Sequence, residues 1–109
     1  MPKSRVEQST GSVFADLGLD GWKDLESKAQ LAFRIAEIIR NRRLTQSEAG
    51  EVLGATQAIV SRLMNGQLHG FSLERLVRFL NALDCDVEIV VRRAPRSRAH
   101  GRTRVSVTD

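Results

Sequence analysis

Residues 46–65 read QSEAGEVLGATQAIVSRLMN, and the order of small, apolar and polar positions in this stretch decides the fold. Thr45-Gln46-Ser47-Glu48 forms a capping box, in which the Thr45 hydroxyl accepts from the Glu48 amide and the Glu48 carboxylate reaches back. The box predicts a short helix from Gln46 to about Leu53, stopped by Gly54. Thr56 predicts the cap of a second helix, Gln57 to Met64, and Asn65-Gly66 is a helix-ending pair. Two short helices crossing steeply over a tight turn make demands on particular positions. The first helix needs a small residue at the crossing, and Gly50 stands there. The turn needs a residue at ease with positive φ, and Gly54 supplies it. Ala49, Leu53, Ala55, Val60 and Leu63 give the apolar inner positions. A glycine in mid-helix costs about 1 kcal/mol relative to alanine, and a close crossing accounts for Gly50. The outer face of the second helix carries Gln57, Ala58, Ser61, Arg62 and Asn65.

Upstream, Trp22 to Arg42 reads as one long helix, with Asp20 placed to cap it. Leu25, Ala29, Ala32, Ala36 and Ile39 follow steps of three and four. Leu31, Ile35 and Ile38 widen the stripe, and Phe33 adds a second side. A helix that apolar must be covered on more than one face. Arg40, Arg42 and Arg43 suit its C-terminal end. Downstream, Ser72 caps a fourth helix from Leu73 to about Leu83. Val87 to Arg92 (VEIVVR) is rich in β-branched residues and reads as a strand. A lone strand leaves its ladder groups unpaired. Either the Val13-Phe14 segment or a second copy of the chain would pair with it, through Val87, Ile89 and Val91. The fold class expected is therefore mainly α, with one C-terminal strand.

The 109 residues divide on this reading into an N-terminal segment (1–19), a helical domain (20–93) and a tail (94–109). Residues 1 to about 11 are polar and expected to lack fixed structure. Val13, Phe14, Leu17 and Leu19 make the next stretch apolar, fitting a strand, a hook packed on the domain or a partner-binding peptide. The tail is rich in Arg, Ser, Gly and Thr, the composition of a disordered segment. Six arginines against Asp109 give residues 92–109 a net +5, whereas residues 1–91 carry −1. The sequence pI of about 10.2 thus belongs to the tail. Arg40 to Leu80 holds a local +3, a moderate electrostatic footprint for nucleic acid. The tail itself fits a solubilising terminus and a non-specific DNA arm equally well.

Other classes are excluded or made unattractive. The longest apolar runs are a few residues, so no membrane span is expected, and Met1 to Arg5 leads into polar residues rather than a secretory signal. The cytoplasm is the simplest compartment. Cys85 is the single cysteine, so neither an internal disulfide nor a cysteine-based zinc site is possible. The histidines are His69, in a loop, and His100, in the tail. No nucleophile–histidine–acid set, phosphate-cradling glycine loop or spaced carboxylate pair appears, so no enzyme, metal or cofactor is expected.

LTQSEAGEVLG followed by ATQAIVSRLMNG resembles the Cro/CI-type (XRE) helix-turn-helix, the lambda-repressor-like fold of phage repressors and bacterial regulators. The resemblance covers about Leu31 to Leu83. The flanks VFADLGL and GFSLERLVRFLNALDCDVEIVV are similar to small antitoxins of the HigA type. The resemblance implies a homodimer that represses its own operon at a palindromic operator and neutralises a RelE/HigB-like ribonuclease toxin. It implies that the second short helix lies in the major groove of double-stranded DNA. Gln57, Ala58, Ser61 and Arg62 would then contact base edges, and Thr45, Gln46, Thr56, Asn65 and Gln67 phosphates. Side-chain chemistry agrees: glutamine pairs bidentately with adenine, arginine with guanine, and alanine meets a thymine methyl. Val13, Phe14, Leu17 and Leu19 would be toxin-binding. Ala58 stands where related repressors often carry a longer polar residue, and Ile59, near the outer face, fits a methyl contact or packing.

Overall fold

The computed structural model describes residues 21–108, with side chains from Leu25 onward. Four helices follow in order: α1 Gly21–Asn41, α2 Gln46–Leu53, α3 Gln57–Met64 and α4 Leu73–Ala82. Each bound lies within a residue or so of its expected place. The Asp20 cap and the Val13–Leu19 segment lie outside the described residues.

Local chemistry starts the three short helices. Glu48 donates its amide to Thr45 Oγ1 at 3.0 Å, and Thr45 donates its own to Glu48 Oε1 at 2.8 Å. Thr56 Oγ1 accepts from Ile59 at 3.1 Å, and Ser72 Oγ from Arg75 at 3.1 Å. A cap of this type is worth about 1 kcal/mol. Three in succession fix where each helix begins before packing selects anything.

The core joins all four helices. Leu31, Ile35 and Ile39 of α1 meet Val60 and Leu63 of α3 and Leu76, Phe79 and Leu80 of α4, closed by Leu68, Phe71 and Leu83. Helix α1 packs across α3 and α4, and α2 packs on α3. The buried stripe of α1 differs from the one expected. Ala32, Ala36 and Ile39 are buried, but Leu25 and Phe33 stay 53% and 65% exposed, and Ala29 is exposed too. At 21 residues, α1 is about 31 Å long, more than twice the length of α3 beneath it. Phe33 lies on the side of the helix opposite the buried Ile35, and Leu25 and Ala29 precede the core-facing stripe of Leu31, Ala32, Ile35, Ala36 and Ile39.

The arginines at the end of α1 do more than complement its dipole. Arg42 Nη2 donates to the Leu83 carbonyl at 2.6 Å, so one side chain ties the end of α1 to the end of α4. Arg43 takes a positive φ of 58° where the chain leaves the helix.

The expected strand is not made among the described residues. Residues 85–95 form neither helix nor strand. The reason is one of partners: a ladder needs a second strand, and no described segment of the chain supplies one. Val87 instead packs half-buried beside the core with Cys85, while Ile89, Val90 and Val91 are 80%, 57% and 91% exposed. Residues 94–108 of the tail carry no helix or strand, yet they do not leave the domain. Val105 packs against the core, and residues 98–105 lie beside Glu26, Ser27 and Gln30 of α1.

Candidate nucleic-acid interface

The crossing of α2 and α3 is built on Gly50. Its carbonyl accepts from the amides of Gly54 and Ala55, the latter at 2.8 Å, which closes the turn. A Cβ at Gly50 would lie 2.6 Å from the Ala55 carbonyl oxygen, so only glycine lets the turn pass this close. Gly54 itself sits in the left-handed region at φ 70°, ψ 37°.

This crossing decides which face of α3 is turned outward. Val60 and Leu63 are buried beneath it. Ile59, for which the sequence left two roles open, is half-buried and packs against the core. Gln57 and Ala58 are exposed, and Ser61 is half-exposed. With steps of three and four they form one surface strip that continues to the exposed Asn65. Thr45 and Thr56 are exposed at the N-termini of α2 and α3, and Gln46, the first residue of α2, is half-buried. Those two helix starts add unpaired amides and the positive ends of two helix dipoles. The result is a polar face without a carboxylate on α3, open to a polyanion.

Arg62, the fourth residue expected at base edges, is half-buried and turned toward the loop that follows α3. Its Nη2 donates to the His69 carbonyl, and its guanidinium lies 5.2 Å from the centre of the Phe71 ring. Together with the amide of Gln67, which donates to the Arg62 carbonyl at 2.9 Å, it braces the loop between α3 and α4. Gln67 remains exposed at the head of that loop.

Arg75 was not singled out from the sequence. It lies 5.4 Å from the ring centres of both Phe71 and Phe79, which meet edge to face at 6.4 Å. It also reaches a shallow cleft of about 470 Å³ at the turn, beside Glu51, Thr56 and Gln57. Only its position three residues after the Ser72 cap was visible in sequence; the aromatic seat depends on tertiary packing.

Among known proteins, a family model described as a helix-turn-helix domain matches residues 13–92. A solved chain assigned to the XRE family of transcriptional regulators is 45% identical, with a TM-score of 0.76. The likeness covers 82% of this chain and 100% of that one. The chain belongs to the XRE helix-turn-helix family. No curated protein matches it. In this XRE protein the matched region takes in α1 to α4, the exposed Ile89–Val91 stretch and part of the segment before residue 21. The described residues hold no cluster of metal-ligating side chains and no helix long and apolar enough to cross a membrane.

Proposed function

We propose that this protein is a sequence-specific DNA-binding repressor that works as a homodimer and serves as the antitoxin of a toxin–antitoxin pair. The outward polar strip of α3, set by the Gly50 crossing, is the observation that carries the DNA-binding part. Helix α3 enters the major groove, where Gln57 reads adenine, Ala58 meets a thymine methyl and Ser61 pairs with either base edge. Thr45, Gln46, Thr56, Asn65 and Gln67 hold phosphates around it, helped by the amides at the starts of α2 and α3. Arg62 shapes the loop that presents Asn65 and Gln67, and contacts a base only if it leaves His69. Arg75 adds a positive charge beside the turn.

Dimerisation is supported by the exposed Ile89, Val90 and Val91. Two copies pairing antiparallel through Val87, Ile89 and Val91 would satisfy the facing edge of each strand and set these side chains beside their counterparts. Two copies of α3 then read a palindrome with half-sites about 34 Å apart. Footprinting on the DNA upstream of the gene tests this. Two protected half-sites one helical turn apart are expected, and a single unpaired site contradicts the dimer.

The antitoxin role is supported by the apolar face that α1 leaves open at Leu25 and Phe33, next in sequence to Val13, Phe14, Leu17 and Leu19. The expected partner is a small ribonuclease-like protein encoded beside this gene. Phe33→Asp is expected to abolish co-purification with that product and to leave operator binding unchanged. Retained co-purification would move the toxin contact away from α1.

A further inference from the structure

The tail and the first half of α1 line an open cleft of about 600 Å³ that shares no lining residue with the cleft at the α2–α3 turn. Its lining is one-sided in charge. Arg98, Arg102 and Arg104 face it with His100, and Glu26 is the one acid among the lining residues. Neutral donors, Ser27, Gln30 and Thr103, complete the wall. Arg98 has an unusual position. Its Nη1 is shut off from solvent and meets no hydrogen-bond acceptor among the described residues. A buried guanidinium N–H without an acceptor is unfavourable, and an unpaired positive charge more so. Neither Glu26 nor any other described carboxylate forms an ion pair with the three arginines.

The volume is that of a small-molecule site rather than of a groove for a helix or a duplex. Guanidinium forks match tetrahedral oxyanions bidentately, and hydroxyl and amide donors around them add direction. The site lies on a different part of α1 from the end that leads into α2. Glu26 stands 15 residues before Asn41, about 22 Å along the helix axis, and no residue of α3 lines the cleft.

We infer that this cleft binds a small phosphate-bearing anion, with Arg98, whose Nη1 is shut off from solvent, as its anchor and the exposed Arg102 and Arg104 closing over it. The binding holds residues 98–105 against α1. Arg98 Nη1 donates to a phosphate oxygen, and Ser27 and Thr103 donate from either side. The inference does not depend on the DNA-binding reading.

Isothermal titration of the full chain with inorganic phosphate and with pyrophosphate, at constant ionic strength set by chloride, tests it. Saturable binding of one equivalent is expected. Arg98→Gln is expected to weaken it at least tenfold with the helical circular dichroism unchanged. Glu26→Gln removes the opposing charge and is expected to tighten it several-fold, an effect that loss of structure cannot mimic. Heat that scales with ionic strength alone, or binding unchanged in both variants, would overturn the proposal. So would binding lost in Gln57→Ala, because the phosphate would then sit on α3. Operator DNA added as a competitor separates the sources: it is expected to leave phosphate binding intact, and displacement would assign the arginines to the DNA backbone instead.

Discussion

Two stretches of this chain were equally explicit as sequence, and they behave differently as structure. Residues 45–65 form the capped, glycine-turned helix pair that their order of residues describes. Residues 87–92, with four β-branched side chains (Val87, Ile89, Val90 and Val91) in the pattern of a strand, make no strand among the described residues. The difference lies in where the hydrogen-bond partners are. A helix finds its acceptors four residues away, and its caps use side chains three residues away. A strand needs another strand, and its sequence does not say which. Local signals therefore dictate the helix pair, whereas the Val87–Arg92 segment finds no partner strand among the described residues.

The largest effect that would sharpen this contrast is at the crossing. Gly50→Val places side-chain carbon against the Ala55 carbonyl, whose oxygen lies 2.6 Å from the ideal Cβ position. We expect a loss of about 3 kcal/mol, the upper range for overpacking a site that cannot yield. Urea denaturation measures it. A change below about 1 kcal/mol would mean that the crossing relaxes and that Gly50 is not its determinant. A smaller loss follows removal of one cap. Thr56→Ala deletes the acceptor for the Ile59 amide and is expected to lower stability by about 1 kcal/mol. Ser at the same position should restore most of it. The smallest effect belongs to the other region. Ile89→Ser changes a side chain that is 80% exposed, and the stability of a monomer should move by less than about 0.5 kcal/mol. Its mark should be on association instead: sedimentation is expected to show a dimer for the natural chain and a monomer for Ile89→Ser. If the natural chain sediments as a monomer at micromolar concentration, the segment is not an interface strand.

The same division governs what the sequence disclosed about the site. The bounds of α2 and α3 and the roles of Thr45, Glu48 and Thr56 rest on contacts within four residues, and the outward turn of Gln57, Ala58 and Ser61 follows from the apolar spacing of Val60 and Leu63. They were legible. Contacts between elements were not. Arg62 looked like one more outer-face residue, but its guanidinium folds onto His69 and Phe71, and no periodicity encodes that. Arg75 finds two aromatic rings that meet only after α4 packs. Arg42 reads as a helix-terminal charge until Leu83 is brought beside it from 41 residues away. On α1 the apolar pattern was visible, but which side of it is covered depends on where α3 and α4 pack against it. The tail shows the opposite case: its composition signals a free chain, and Val105 nonetheless brings it back to the core.

The central claim is that the outer face of α3 reads DNA. Fluorescence anisotropy with the duplex upstream of the gene, in the presence of scrambled competitor and at two salt concentrations, addresses it directly. The natural chain is expected to bind tightly and to keep its preference at both salts. Gln57→Ala is expected to lose about 1–3 kcal/mol of specific binding, as for a bidentate base contact, with its fold intact. Equal, weak binding to both duplexes, or no change in Gln57→Ala, would contradict the claim.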